Sequence, residues 1–316
     1  MLNKILEKIK EYNKIIIFGH VRPDGDCIGS QMGLYYIIKE SFPEKEVYVT
    51  GETSEYVSFL GKPELINDKL FKGALGISVD CPTIERLSDK RIALCDYKIK
   101  IDHHPDIEHF GDIEHVELIS SCAEIIINLY LENQNSLILS KNAALPLYVG
   151  ILTDTGRFKY DSVKPETFNR AALLLTKGLD LQYIDNMLSV ERLDVLKLRG
   201  YVLSNFKMTK NGFAYIILKK NIIEEYNVSY EEAANEVSTI SMIETCPMWA
   251  MFLETDEEIR IRLRSRGPIV NDLAAKYNGG GHPKASGCRI KSFDELDSFL
   301  NDADDKVKEY KFNQNK

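Results

Sequence analysis

The sequence has few features of a secreted, disulfide-stabilised or membrane-spanning protein. Its six cysteines are scattered over 316 residues without a CxxC pair, so we expect reduced thiols in a cytoplasmic protein rather than a disulfide framework. No apolar run approaches a length of about 18 residues, which a membrane-spanning helix needs. The first residues alternate Leu and Ile with Lys and Glu, which is not the pattern of a signal peptide. We therefore expect no membrane association.

Basic charge is also scarce. The formal net charge is −8, whereas binding to long duplex nucleic acid needs a basic footprint, so we expect no such partner. Short anionic substrates fit the composition, because a metal site and a few local arginines can supply positive potential. With 44% hydrophobic and 28% charged residues, the chain has the composition of a globular protein, and its length favours two domains.

Apolar strands alternate with helical patterns in the first half of the chain, which predicts a mainly parallel sheet flanked by helices. Predicted strands cover 14–19, 45–50, 74–79 and 97–101, and predicted helices cover 2–12, 28–40, 120–133, 141–152 and 166–177. A charge-studded helical stretch follows at 181–206. After it, strands at 213–218, 248–254 and 258–264 surround a helical region at 229–242.

The predicted fold class is therefore α/β with two domains. The first domain covers residues 1–180, and a helical linker covers 181–210. A smaller α/β domain with a mixed sheet covers 211–316. Ligands of open parallel sheets gather beyond the carboxyl ends of the strands, so the residues that follow each apolar run are the first candidates for a functional site.

Histidines and aspartates stand just beyond the buried runs of the first domain. Burying unpaired charge is expensive, so carboxylates and imidazoles at these places are easier to explain around metal ions than by folding alone. Each of them taken singly also fits a turn or a helix cap, but together they fall at one predicted edge. The residues are His20, Asp24, Asp26, Asp80, Asp102, His103, His104 and Asp154.

The types of these residues suggest different tasks. A carboxylate has two oxygens, so Asp80 could bridge two metal ions. Two adjacent histidines at a strand end point in different directions, so one could bind metal while the other meets substrate. Asp102 could orient an imidazole. Oxygen-rich sites with one or two imidazoles suit Mn²⁺ or Mg²⁺ better than structural zinc.

Other polar residues near these runs receive simpler interpretations. Cys27 and Cys81 flank proposed ligands, but thiols are poor partners for a hard cation, so we assign them to packing. His109 and His115 lie outside the pattern and are interpreted as surface residues. Asp154 is expected in a glycine-containing turn after a helix.

The second domain carries a candidate anion-binding surface. Arg260, Arg262, Arg264 and Arg266 alternate with aliphatic residues, so at strand period two the arginines share one face. A solvated outer face is the alternative. Guanidinium groups match phosphate oxygens. A loop of Gly279, Gly280 and Gly281 followed by His282 would let backbone amides approach a phosphate closely.

The motifs HVRPDGD, SVD, IDHH and LTDTG, followed by GGGHPKASG, resemble those of the DHH phosphoesterase family with a C-terminal DHHA1 domain. The resemblance spans nearly the whole chain. In detail the sequence is similar to the NrnA-like nanoRNase and pAp-phosphatase group, which removes nucleotides from very short RNAs and releases phosphate from 3′-phosphoadenosine 5′-phosphate (pAp).

The resemblance implies two divalent metal ions, Mn²⁺ foremost, with Mg²⁺ and Co²⁺ as alternatives. One ion would take His20, Asp24 and Asp80. The other would take Asp26, Asp80, His103 and Asp154. His104 would contact the scissile phosphate, with Asp80 and Asp102 as its catalytic partners. The substrate-binding residues implied in the second domain are Arg262, Arg264, Ser265, Gly279, Gly280, Gly281 and His282.

The expected activity is a two-metal hydrolysis of very short RNA to mononucleotides and of pAp to AMP. Partners are then short single-stranded RNA, mononucleotides or dinucleotides, and a homodimer is left open. One alternative is a phosphodiesterase for dinucleotides such as pApA, pGpG or cyclic di-AMP. A non-catalytic RNA-binding or regulatory protein is the alternative of another class, and the intact ligand set argues against it.

Overall fold

The buried runs of the first half form a parallel sheet in residues 1–314, the part of the chain that a computed structural model describes. Its strands are β1 (Lys14–Phe18), β2 (Glu46–Thr50), β3 (Leu75–Val79), β4 (Tyr97–Asp102) and β5 (Ile113–Val116). The order is β2-β1-β3-β4-β5, and each neighbouring pair is parallel. β3 is buried along its whole length, as expected for a central strand covered on both faces.

Helices cover this sheet and complete a first unit, Met1–Val190. They are α1 (Leu2–Glu11), α2 (Gly25–Ser41), α3 (Cys122–Glu132), α4 (Lys141–Asp154), α5 (Pro165–Leu175) and α6 (Leu181–Ser189). α2 and α4 approach so closely that a Cβ on Gly29 would lie 2.5 Å from the Pro146 carbonyl oxygen. A Cβ on Gly25 would likewise collide with Thr153. The start of α2 therefore lies against the end of α4.

The second unit begins at Glu191 and contains a mixed sheet, which confirms the predicted fold class. Its elements are α7 (Leu193–Asn205), β6 (Lys207–Met208), β7 (Phe213–Leu218), α8 (Lys220–Glu225), α9 (Tyr230–Asn235), β8 (Met248–Glu254), β9 (Ile259–Ser265), α10 (Asn271–Lys276), β10 (Gly280–His282), β11 (Ala285–Ile290) and α11 (Leu296–Gln314). The order is β10-β11-β9-β8-β7-β6. β7 and β8 are parallel, and the other neighbours are antiparallel.

Several elements differ from the sequence-based expectation. The helical region at 229–242 is α9 followed by a 3-10 helix, Glu236–Met242. The stretch expected as a linker consists of α6 and α7, and the boundary between the units falls between them. β5, β6, β10 and β11 were not expected; the first three of these have at most four residues, and β5 has no buried face. α11 follows them with a mainly polar sequence.

Two general expectations can be compared with the described residues. No helix in residues 1–314 is long and apolar enough to cross a membrane. All six cysteines are free and buried, as expected for a chain without a disulfide framework. Within each unit, packing rather than cross-linking stabilises the fold.

Candidate metal centre and substrate-binding face

The register of the parallel sheet brings the candidate ligands together. Phe18 of β1 pairs with Ser78 of β3, and His20 and Asp80 each stand two residues further on. Asp80 also follows Val79, which pairs with Ile101 of β4. The strand order reverses between β1 and β3, and open α/β sheets bind ligands beyond the strand ends at such a point.

His20, Asp24 and Asp80 form the first cluster. His20 Nε2 lies 3.4 Å from Asp80 Oδ2 and 3.9 Å from Asp24 Oδ1. On its other side, His20 Nδ1 lies 2.9 Å from the Val21 carbonyl oxygen. A proton on Nδ1 donates to that carbonyl, so Nε2 faces the carboxylates and would bind a cation once it has lost its proton, which is how a metal-binding histidine is usually oriented.

His103 is at the middle of the second cluster. Its Nε2 lies 3.2 Å from Asp80 Oδ1, 3.4 Å from Asp154 Oδ2 and 3.8 Å from Asp26 Oδ2. Its Nδ1 lies 3.1 Å from the carbonyl oxygen of Ile119, so Nε2 is again the nitrogen that would bind a cation. The sequence predicted Asp154 in the turn after a helix. It is instead the last residue of α4.

Asp80 belongs to both clusters. Its Oδ2 faces His20 and its Oδ1 faces His103. The side chain is buried, and within residues 1–314 Oδ1 has no hydrogen-bond partner. Its φ of 55° lies in the left-handed region, which is uncommon for a residue other than glycine. A buried carboxylate oxygen without a donor is costly, and a cation would remove that cost. The donor set therefore fits a divalent ion beside each histidine.

Asp26 has a second set of contacts. Its Oδ2 accepts a hydrogen bond from the Cys122 amide at 2.6 Å, and its Oδ1 accepts one from the Ala123 amide at 3.0 Å. These amides begin α3, where unpaired N–H groups and the helix dipole favour a carboxylate. The carboxylate thus joins α2 to α3 as well as facing His103. Nothing in the local sequence signals this contact, because its partners lie almost a hundred residues away.

The crowded charges shift the proton affinities of the cluster. Burial alone would lower the pKa of His103, but the close approach of the Asp80 carboxylate and the charge of Asp26 raise it to about 10. The pKa of His20 is raised in the same way, because the effects of Asp24 and Asp80 outweigh that of burial. Burial, reinforced by neighbouring carboxylates, holds the pKa of Asp26 well above its usual range. Without a cation, the cluster therefore retains extra protons.

Asp154 follows the same trend. Burial raises its pKa to about 6, and the charge of Asp80 adds to the effect while His103 opposes it. At neutral pH it is mostly ionised, so it can face a cation without first losing a proton.

Asp102 and His104 form a separate pair beside the clusters. Asp102 Oδ1 lies 2.8 Å from His104 Nδ1. Burial works against ionisation of Asp102, but the hydrogen bond from His104 keeps the pKa of this carboxyl below its usual value. The His104 side chain is 38% exposed, and its ring is tilted by 61° from that of His103. The adjacent imidazoles therefore have different surroundings, one buried among carboxylates and one partly open to solvent.

Two other groups that could hold a cation have different properties. Cys27 Sγ lies close to His20 and Asp80, but burial raises the pKa of this thiol to about 11, so it stays protonated and its role is packing. Away from the centre, His109 lies on the surface, 2.6 Å from Glu114. Glu114 also accepts hydrogen bonds from two loop amides, so its oxygens are already occupied.

In the second unit, the register of the sheet places arginines and His282 on one face. Paired residues of neighbouring strands project to the same side. Arg264 pairs with Ala285, which pairs with His282. In the next row of the same face, Arg262 pairs with Gly287, which pairs with Gly280. Arg264 is half-buried and has no carboxylate partner within residues 1–314, whereas Arg262 lies 3.6 Å from Glu231.

The three glycines are not equivalent, and they do not form a loop. Gly280 and Gly281 belong to β10, an edge strand. A Cβ on Gly279 would collide with the Gly287 carbonyl oxygen, and one on Gly281 would lie 2.8 Å from the Ala285 carbonyl oxygen. Packing of the sheet explains these two glycines. Gly280 has open space at its Cβ position, so it alone of the three leaves room on the arginine face.

Two residues expected on this face have other contacts. Arg266 lies beyond the end of β9, and its guanidinium donates to the carbonyl oxygens of Ile243 and Cys246. Its inclusion in the arginine row was wrong, because strand periodicity ends one residue earlier. Ser265 is buried, and its hydroxyl donates to the Pro268 carbonyl oxygen at 2.6 Å. That hydroxyl shapes the turn after β9.

Taken together, an α/β unit with two imidazole–carboxylate clusters that share one aspartate, followed by a mixed-sheet unit with an arginine face, defines the class of two-domain, divalent-metal phosphoesterases. Comparison with known families agrees with this class. The N-terminal domain of the DHH family matches residues 14–151, and the DHHA1 domain matches residues 211–309. The chain belongs to the DHH family and carries a DHHA1 domain.

Similar proteins match over nearly their full length. The bifunctional oligoribonuclease and PAP phosphatase NrnA of Bacillus subtilis is 38% identical over 98% of this chain and 100% of its own. A probable enzyme of the same name from Streptococcus mutans is 41% identical over 92% of this chain and 94% of its own. The crystal structure of an exopolyphosphatase-related protein from Bacteroides fragilis has a TM-score of 0.84 and 31% identity, covering 97% of this chain and 96% of that one.

Proposed function

We propose that this protein hydrolyses phosphoester bonds in very short RNA, releasing mononucleotides, and converts pAp to AMP. The observation that carries the proposal is the position of Asp80. Its buried carboxylate faces two imidazoles, and its Oδ1 has no hydrogen-bond donor within residues 1–314. Relatives named oligoribonuclease and PAP phosphatase, which match over nearly the whole chain, support the choice of substrates.

Two divalent ions belong to the proposal, with Mn²⁺ as the expected metal and Mg²⁺ or Co²⁺ as alternatives. His20, Asp24 and Asp80 would hold one ion, and Asp26, Asp80, His103 and Asp154 would hold the other. Carboxylates with an imidazole at each position suit such cations. When bound, the pair of ions would supply an activated water and stabilise negative charge around the phosphorus.

His104 is the residue that would meet the reacting phosphate. Its Nδ1–H donates to Asp102, which fixes the ring and leaves Nε2 available. Nε2 is then the atom that would pass a proton to the departing ribose oxygen. Asp102 thus acts through His104, and His104 acts on the substrate.

The arginine face of the second unit would bind a phosphate other than the one that reacts. Arg262, Arg264 and His282 supply donors there, and Gly280 leaves space for the anion. Recognition of a neighbouring phosphate favours pAp and short oligonucleotides, since each presents two phosphates. The buried free cysteines agree with a cytoplasmic enzyme, which is part of the proposal.

The test is a side-by-side assay of purified protein with Mn²⁺. The substrates are pAp, a labelled RNA ladder from about two to about twenty-four nucleotides, and linear and cyclic dinucleotides, and the shortest oligonucleotides should react fastest. The Asp80→Asn variant is the negative control. The matched surface control is Glu132→Gln, which removes an exposed carboxylate at the end of α3 that is distant from the centre.

The proposal predicts turnover of pAp and short RNA by the wild-type protein and by Glu132→Gln, and none by Asp80→Asn. Faster hydrolysis of cyclic or linear dinucleotides than of pAp and short RNA would favour the alternative phosphodiesterase. Phosphate binding without any metal-dependent turnover would indicate a non-catalytic protein and contradict the proposal.

A further inference from the structure

Arg22 lies inside the first candidate ligand segment, two residues from His20 and two from Asp24. The segments that carry the candidate ligands are 20–26, 80, 102–104 and 153–156, and they contain no other lysine or arginine. Arg157 comes next along the chain, but its guanidinium contacts Asp185 and Ser189. Arg22 is thus the one strong cation built into the segments that form the centre.

The guanidinium of Arg22 is unpaired in the described part of the chain. Within residues 1–314 it makes no hydrogen bond and no ion pair, although five carboxylates belong to the same centre. Asp24 and Asp26, its nearest acidic neighbours in sequence, are paired with amides and imidazoles instead. The Arg22 side chain is exposed and unpaired beside acidic groups, so it retains its donors for another anion.

The backbone of Arg22 is held in an unusual conformation. Its φ is 54°, in the left-handed region that side chains other than those of glycine, asparagine and aspartate seldom adopt. The Arg22 amide donates to Glu52 Oε2 at 2.6 Å, and the preceding amide of Val21 donates to the Arg86 carbonyl oxygen at 2.8 Å. Strained backbone persists where the surroundings fix it, and such places cluster at functional sites.

The charges at the centre suggest a role for the Arg22 guanidinium. Asp24, Asp26, Asp80, Asp102 and Asp154 outweigh two divalent ions by one negative charge, while each substrate brings further negative charge. We infer that Arg22 binds a non-bridging oxygen of the substrate phosphate that reacts at the centre. The inference rests on the proposed function and adds a substrate-binding residue to it. Planar guanidinium suits this task because it presents parallel donors to phosphate oxygens.

The experiment compares three variants with pAp as substrate and Mn²⁺ as metal. Arg22→Gly removes the side chain and keeps a backbone that tolerates positive φ. Arg22→Lys keeps the charge without the planar fork. Arg86→Gln is the matched control, because it removes an exposed arginine whose backbone contacts the same segment. For each variant, kcat, KM and the affinity for Mn²⁺ are measured, and Arg22→Gly is also assayed with millimolar guanidinium chloride.

Arg22→Gly should lower kcat/KM about 100-fold, which corresponds to about 2.7 kcal/mol at 1.36 kcal/mol per factor of ten. Guanidinium chloride should restore part of that loss, Arg22→Lys should be intermediate, and Arg86→Gln should remain within about twofold of wild type. The affinity for Mn²⁺ should be unchanged in every variant.

Wild-type kcat/KM in Arg22→Gly, or an equal loss in Arg86→Gln, would overturn the inference. A loss of Mn²⁺ affinity in Arg22→Gly, or no rescue by guanidinium, would also overturn it, because the residue would then act by shaping the ligand segment. A wild-type protein that turns over neither pAp nor short RNA would instead overturn the proposed function, so the two failures are distinguishable.

Discussion

Loading the centre with metal should release protons, and the structure indicates how many. In the metal-free protein the pKa of His103 is raised to about 10 and that of His20 is raised as well. Both rings are therefore imidazolium at pH 7, yet a ring must be neutral at the nitrogen that binds a cation. Binding of two divalent ions at pH 7 should release at least about two protons per chain, one from each histidine.

Isothermal titration calorimetry with Mn²⁺ in buffers of different ionisation enthalpy measures this number. Each released proton also makes the affinity rise about tenfold per pH unit, so the dissociation constants should fall between pH 6.5 and pH 8. His20→Asn should release about one proton fewer and bind one ion more weakly. His109→Asn is the control, because His109 is exposed and lies outside the centre; it should release the wild-type number.

The sign of the stability change follows from the same shift. A histidine whose pKa is raised on folding stabilises the metal-free protein fully below about pH 6.5, and that contribution is lost as the pH rises through about 10. The melting temperature of metal-free protein should therefore fall over this range, while that of Mn²⁺-loaded protein should change less. Release of fewer than about one proton at pH 7 would refute the reasoning.

Three further predictions concern single side chains. Asp80→Ala should abolish turnover, measured as AMP release from pAp, because both candidate clusters use this carboxylate; near-normal activity would contradict the shared-carboxylate assignment. Asp102→Asn should lower kcat about 100-fold with little change in KM, and a purely KM effect would argue against its action on the neighbouring imidazole. Lys100 is fully buried and donates to the carbonyl oxygens of Pro82 and Glu108, so Lys100→Met should lower the free energy of unfolding by about 3 kcal/mol in urea denaturation; an unchanged value would show that these carbonyls find other donors.

Which residues meet at the centre could be predicted from the sequence because strand ends are easy to find. Short apolar runs locate β1, β3 and β4, and parallel strands place their carboxyl ends at one edge. His20, Asp80 and His103 follow from that rule alone. Their catalytic and metal-binding roles are predictions still to be tested by the experiments above.

Contacts between distant elements could not be predicted in this way. The hydrogen bonds that Asp26 accepts from the first amides of α3 depend on how two helices pack, and the position of Asp154 depends on where α4 ends. Likewise, the glycines at 279 and 281 are explained by a strand that crosses close to neighbouring carbonyls. A pattern in the sequence identified the glycine-rich segment, but only the pairing of β10 with β11 separates the structural glycines from Gly280.

Several features of the metal-free centre oppose folding, which suggests that metal binding should stabilise the folded protein. Asp80 combines a left-handed backbone with a buried oxygen that has no donor in the described residues, and Asp26 is buried among other carboxylates. Each feature opposes folding of the metal-free chain, and a cation would remove the electrostatic cost at both carboxylates. A ligand that binds only the folded state stabilises it by about 2.7 kcal/mol at one hundred times its dissociation constant. Loss of metal should therefore weaken the first unit as well as stop turnover, whereas the second unit, which has its own core, should keep its stability.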